Sequence, residues 1–209
     1  MGADLLTDPE IGDLCDRCSS SSGVDLRRLL TTADDDELRL TQNAQPALCF
    51  VGIGLTVLLR RHGIDPVATA GHSVGEYTAL AASGAVSAHQ VIKAVVERGK
   101  AMAEAAPAGT SSMAAVLGLD AQAVEVALAG MNDAWPANYN TPMQTVIAGT
   151  MAGLDAATKR LQAAGAKRVI PLNVSAAFHT PLMAPAAERL RAALTRSAPT
   201  AATTKAARL

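Results

Sequence analysis

The chain has 209 residues, with 18 Lys plus Arg against 19 Asp plus Glu, a formal net charge of −1, 49% hydrophobic residues and 18% charged residues. This balance excludes an intrinsically disordered chain and lacks the basic footprint of a nucleic-acid binder. With 1 Trp, 2 Tyr and 2 Phe, it also lacks aromatic platforms for stacking bases, and its core must be built from Ala, Val, Leu and Ile.

The first eight residues are acidic and carry no apolar run, so they do not read as a signal peptide. Thr7-Asp8-Pro9-Glu10 predicts a helix cap with Pro early in the helix. The run Ser19-Ser20-Ser21-Ser22-Gly23 predicts a break, and Asp34-Asp35-Asp36-Glu37 a solvated helix start whose charge suits the helix dipole. Residues 45–61 predict a long buried helix, with Pro46 near its start and His62-Gly63 at its end. Its apolar stretch, residues 47–59, falls short of the roughly 20 residues a membrane-spanning helix needs, so no membrane role is expected.

Residues 67–70 predict a short apolar strand, Gly71-His72-Ser73-Val74-Gly75 a tight turn, and residues 76–82 a helix. Ser87 predicts the cap of a helix over 87–106. Strands are then expected over 112–119, 144–148 and 168–174, helices over 120–130 and 154–164, with room for a short strand near Asn138. That alternation suggests a ferredoxin-like inserted subdomain. A helix is expected near residues 184–194, and the Ala/Thr-rich tail from Ser197 reads as poorly ordered. Cys15, Cys18 and Cys49 form an odd, sparse set that suggests reduced thiols in the cytosol; Cys15-x-x-Cys18 has no second Cys/His pair at ligand spacing, so no metal site is expected.

Three residues are candidates for chemistry. Ser73 lies between two glycines on a strand-to-helix turn, the context of a nucleophile elbow, where the Val74 N–H points at a developing oxyanion; an ordinary turn is the alternative. His179, in Phe178-His179-Thr180-Pro181, comes directly after the predicted subdomain and is a candidate base, since a serine needs one to attack at neutral pH; a structural histidine is the alternative. Of the other histidines, His62 reads as a helix-end charge partner, His89 as solvent-facing, and His72 as packed within the turn. Arg98 is a candidate carboxylate clamp, against the alternative of a surface salt bridge with Glu97 or Glu104.

Gly71-His72-Ser73-Val74-Gly75-Glu76-Tyr77, Glu97-Arg98-Gly99-Lys100-Ala101-Met102, Asn138-Tyr139-Asn140-Thr141-Pro142-Met143-Gln144 and Phe178-His179-Thr180-Pro181-Leu182-Met183-Ala184-Pro185-Ala186 occur in this order. Together they resemble the malonyl-CoA:acyl-carrier-protein transacylases of fatty-acid and polyketide synthesis, from the first residues to about Ala198. The resemblance implies an α/β-hydrolase-like acyltransferase core, residues 1–111 and 179–209, carrying a ferredoxin-like insert over 112–178. It implies Ser73 as nucleophile, His179 as base and Arg98 as partner of the malonyl carboxylate. Gln45 matches a family glutamine near the pocket, and Asn140 falls in a substrate-binding motif. Val74 and Phe178 resemble the pattern of malonyl-selective members, where bulk at Phe178 crowds a branched acyl group. Malonyl-CoA and phosphopantetheinylated acyl carrier protein are the implied substrates and partners. No metal or redox cofactor is implied, and the implied location is cytoplasmic.

The chain also departs from the family pattern. The family opens with a strand and a G-Q-G-x-Q loop that supplies a second oxyanion donor, and Met1-Gly2-Ala3-Asp4 corresponds to the family segment just beyond that loop. Likeness fades after about Ala198, where the family continues with a segment that orients the histidine. The sequence is therefore expected to be truncated at both ends, and three readings stand: an active malonyl transferase, an inactive acyltransferase-like fragment, or a serine esterase or thioesterase. Arg98 argues against the last, because simple esters offer no second carboxylate to hold.

Overall fold

The computed structural model describes residues 1–195 and the backbone of residues 205–208, and it divides into two compact units: Met1–Lys100 with Arg189–Leu209, and Ala101–Glu188. In the first unit the Asp8 carboxylate accepts from the backbone N–H groups of Glu10 and Ile11, and Pro9 takes the first position of helix α1 (Pro9–Ser22). Both devices suit a helix start, where the N–H groups have no helical acceptor. The serine run does not break α1. It forms the last turn, its hydroxyls bonded back to carbonyls of the preceding turn, and Gly23 at φ 72 ends the helix.

Helices α2 (Leu26–Thr31) and α3 (Asp35–Arg39) are capped by Asp25 and Asp34. Helix α4 (Thr41–Arg61) begins earlier than expected, so Pro46 lies inside it. Its Ala47, Cys49, Phe50 and Ile53 are buried with Ile11, Cys15, Cys18, Leu26, Leu29 and Leu30. At 21 residues α4 is long and apolar enough to cross a membrane by length and composition, contrary to the sequence expectation, although this face is spent on the core. All three cysteines are buried and free, and burial pushes the Cys18 and Cys49 thiols up to about 11. Such thiols stay protonated and inert at neutral pH.

Strand β1 (Ala68–Gly71) leads to helices α5 (Gly75–Ala82) and α6 (Ala88–Ala105). Ser87 and Gln90 exchange hydrogen bonds as a capping box at the start of α6. Strand β1 is paired in parallel with Lys205–Arg208, which places Gly71 opposite Arg208. That segment was expected to be poorly ordered; the open edge of β1 gives its backbone a partner. Residues 197–204 and 209, covered by the same expectation, lie outside the described residues.

The second unit contains β2 (Ser111–Leu117), α7 (Ala121–Leu128), β3 (Ala134–Thr141), β4 (Gln144–Thr150), α8 (Met151–Ala163) and β5 (Arg168–Pro171). The strands form one antiparallel sheet in the order β3-β4-β2-β5. Alternation sends Ala114, Val116 and Ile147 to the face packed with Val124, Leu128, Leu154 and Leu161. Met113, Val146 and Ala148 point the other way, where Leu172, Val174, Ala177, Phe178 and Leu182 cover them. Strand β5 therefore stops before the expected residue 174, because the chain leaves the ladder to cover this face. Helix α9 (Ala184–Thr195) comes next.

Candidate active site

The turn after β1 is set by a close approach of backbones. A Cβ on Gly71 would lie 2.0 Å from the Gly75 carbonyl carbon and oxygen and 2.3 Å from the Glu76 nitrogen. Only a residue without a side chain lets β1 end this close to α5. Gly75 plays a different part from the one its sequence position suggests, because a Cβ there would meet nothing within 4 Å. Between them Ser73 adopts φ 53, a left-handed conformation that L-residues avoid. The turn's backbone hydrogen bonds run from Gly75 to His72, from Glu76 to Ser73 and from Tyr77 to Val74, and leave out the Val74 N–H. His72 is exposed rather than packed, and the Val74 side chain leans on the core of the first unit.

Arg98 reaches this turn from α6. Its Nη2 donates to Ser73 Oγ at 3.1 Å, and its Nη1 donates to Gln45 Oε1. The guanidinium carbon also sits 5.8 Å from the centre of the Tyr77 ring, a cation–π distance. Burial pushes the Arg98 pKa down, opposed by Tyr77 and Glu76; a guanidinium nevertheless keeps its charge in proteins. Among the described residues Arg98 makes no ion pair, and Glu97 pairs with Arg189 instead, at 3.4 Å. The surface salt bridge considered from the sequence is thus absent there.

Gln45 is buried on α4, and its Nε2 donates to the buried Thr41 Oγ1 at 2.6 Å. Gly99 makes the approach of α6 possible, since a Cβ there would lie 2.8 Å from Gln42 Cα. Sequence reasoning assigned no role to Thr41, Tyr77 or Gly99. The spacing of Thr41 from Gln45, one helical turn, and the glycine directly after Arg98 were the available signals.

In the second unit His179 is exposed and adopts φ 59. Ser73 and His179 are the two non-glycine residues with positive φ among the described residues. The loop holding His179 is pinned on both sides: the Ala177 N–H donates to the buried Ser111 Oγ at 2.9 Å, and Thr180 Oγ1 donates to the Ala177 carbonyl at 2.9 Å. Phe178 packs against Met113, Val146 and Ala148 and also against Met102 and Ala186. Asn140 is exposed near the end of β3, where its Nδ2 donates to Gln144 Oε1 at 3.1 Å.

The structure thus brings Ser73, Arg98 and Gln45 into direct contact within one unit and holds His179 and Phe178 on a braced loop of the other. An apolar cavity of about 220 Å³ beside Tyr77, lined by Leu80, Val86, Gln90, Val91, Ala94 and Leu194, carries no nucleophile or cation. The cluster around Ser73 is therefore the candidate site. Among the described residues no group of three or more His, Cys, Asp or Glu could hold a metal ion.

The acyl transferase domain family matches residues 1–208. The chain is 42% identical over 199 residues to the malonyl CoA-acyl carrier protein transacylase of Bacillus subtilis (strain 168), covering 93% of this chain and 63% of that relative. Its structure is similar to the crystal structure of MCAT from Streptococcus pneumoniae, with a TM-score of 0.91 at 40% identity over 100% of this chain and 69% of the other. It is also similar to a malonyl-transacylase solved in complex with its type II PKS acyl-carrier protein, with a TM-score of 0.91 at 36% identity over 99% of this chain and 68% of the other. The likeness supports an α/β acyltransferase fold. The chain spans less than two thirds of the length of the curated relatives it matches.

Proposed function

The chain belongs to the acyl transferase domain family, and on that premise we propose that it transfers a malonyl group from malonyl-CoA to the phosphopantetheine thiol of acyl carrier protein. The observation that carries this reading is the contact of the Arg98 guanidinium with Ser73 Oγ, a fixed cation at the nucleophile. A carboxylate is a stronger acceptor than a hydroxyl, so the free malonyl carboxylate draws Arg98 to itself and leaves Ser73 Oγ to attack. His179 takes the serine proton as Oγ bonds to the thioester carbonyl carbon, and the Val74 N–H donates to the oxyanion. The carbon–sulfur bond breaks, CoA leaves with the proton from His179, and a malonyl-Ser73 ester remains. The carrier thiol then attacks this ester with His179 again as base, which completes a ping-pong cycle.

Gln45 holds Arg98 in this scheme, and Asn140 contributes to substrate binding. Val74 and Phe178 bound the acyl pocket; the difference of one methyl group there is worth only about 1–3 kcal/mol, so selectivity against branched acyl groups is modest. The order β3-β4-β2-β5, with α7 and α8 on one face, supports reading residues 112–178 as a ferredoxin-like insert in an α/β-hydrolase-like core formed by residues 1–111 and 179–209. The reaction as proposed needs neither a metal nor a redox cofactor, and a cytoplasmic setting is part of this reading.

The test is the intact mass of the chain after brief incubation with malonyl-CoA, beside a Ser73→Ala control. A one-malonyl increase that the control lacks is the expected result. A folded chain that gains no malonyl mass overturns the reading, and a chain loaded equally well by acetyl-CoA points instead to a serine esterase or thioesterase.

A further inference from the structure

Thr41 is buried and bonded to Gln45, the residue that holds Arg98. A guanidinium has donors and no acceptor, so the edge of the Gln45 amide facing Arg98 must be Oε1. The amide nitrogen is then turned inward, where Thr41 Oγ1 accepts from it at 2.6 Å. A hydroxyl accepts from an amide nitrogen and a methyl group does not, so Thr41 holds the inward nitrogen and keeps the Gln45 amide in the orientation that Arg98 requires. Gly99 presses α6 onto the same turn of α4, since a Cβ there would lie 3.2 Å from the Thr41 carbonyl oxygen. The turn that carries Thr41 thus sets the place of Arg98 both through the Gln45 amide and through the backbone.

We propose that Thr41 is a positioning residue for acyl selectivity: its hydroxyl orients the Gln45 amide, which in turn aims the Arg98 guanidinium at the carboxylate of a diacid acyl group. The proposal rests on the malonyl-transfer reading of this site. It predicts an effect on carboxylate-bearing acyl groups in particular, because an acyl group without a carboxylate does not rely on Arg98 for its binding. The orientation itself is a property of the free protein and is measurable without substrate.

The test compares Thr41→Val, which keeps the shape and removes the hydroxyl, with Thr41→Ser, which keeps the hydroxyl. The first readout is the ratio of the rates at which malonyl-CoA and acetyl-CoA load the chain. Loss of one oriented hydrogen bond should lower that ratio about tenfold in Thr41→Val, and Thr41→Ser should restore most of it. Equal slowing of both substrates, or no change, overturns the proposal. The second readout is the solvent exchange of the Gln45 side-chain amide protons by NMR, which needs no turnover. Exchange should be slow in the parent and in Thr41→Ser and about tenfold or more faster in Thr41→Val; equal exchange in all three overturns the proposal. If the parent loads neither substrate, the functional reading fails, and the exchange measurement still decides whether Thr41 orients Gln45.

Discussion

Ser73 and His179 share a left-handed backbone, at φ 53 and φ 59, although neither is a glycine. Such a conformation costs an L-residue roughly 1–2 kcal/mol, and it persists where the surroundings over-determine it. For Ser73 those surroundings are the Gly71 approach and the start of α5. For His179 they are the bonds of Ala177 and Thr180. The strain yields a prediction with an unusual sign. In most loops glycine is less stable than alanine, because it has more chain entropy to lose. Here Ser73→Gly and His179→Gly should each be more stable than the matching alanine variant, by about 1 kcal/mol. Urea midpoints of the four variants check this, and alanine variants as stable as the glycine ones refute it.

Arg98 holds Ser73 and Gln45 with two different nitrogens, so its planar fork matters as well as its charge. A lysine keeps the charge but offers a single ammonium point. Arg98→Lys should therefore lose the oriented, charge-assisted bonds, worth about 1.5–3 kcal/mol, and load malonyl-CoA on the order of tenfold to hundredfold more slowly. Stopped-time intact-mass measurements give the rate. Loading at the parent rate would mean that charge alone suffices at this site.

Much of this organisation was legible in the sequence, for physical reasons that can be named. The Asp8-Pro9 and Asp34 caps are local signals read within one helical turn, and both appear where expected. The Ser73 turn was legible because Gly71 leaves a mark in composition that only a close backbone approach requires. What stayed hidden was non-local. Nothing near residue 205 announces that it pairs with residue 68, because parallel pairing is set by the edge that β1 leaves open. Thr41 escaped notice because its part depends on α6 crossing α4 at Gly99, a tertiary fact. The serine run misled because the same hydroxyls that compete with a helix can also bond back to its last turn.

Asp8 joins the start of α1 to the end of α4. Its carboxylate caps Glu10 and Ile11 and is held by Arg61, which draws its pKa down to about 2 from an ordinary 3.8. A carboxylate with a lowered folded-state pKa stabilises the fold fully above its unfolded value, and that contribution is lost as pH falls through the folded one. Stability owed to Asp8 should thus be intact above 3.8 and decline as the pH drops towards about 2. Asp8→Asn keeps a capping oxygen but cannot carry the charge that Arg61 holds. Its urea midpoint should change less than the parent's across this window. Parallel pH profiles for the two proteins would show that the Asp8–Arg61 pair is too exposed to matter.

The two glycines flanking the Ser73 turn look equivalent in the sequence and are not so in space. A methyl group on Gly71 would lie 2.0 Å from the backbone of Gly75, whereas one on Gly75 would meet nothing within 4 Å. Backbone cannot rotate away as a side chain can, so Gly71→Ala must push β1 and α5 apart. Overpacking of this kind costs about 1–3 kcal/mol, and here it also displaces Ser73 from Arg98. Gly75→Ala opens α5 and gains helix propensity in place of glycine, so it should be neutral or stabilising by a few tenths to about 1 kcal/mol. Thermal unfolding of the two variants, together with malonyl loading, separates these outcomes. If Gly75→Ala loses loading while remaining stable, the space above α5 is occupied by substrate during turnover, and the second glycine is kept for the acyl group rather than for the fold.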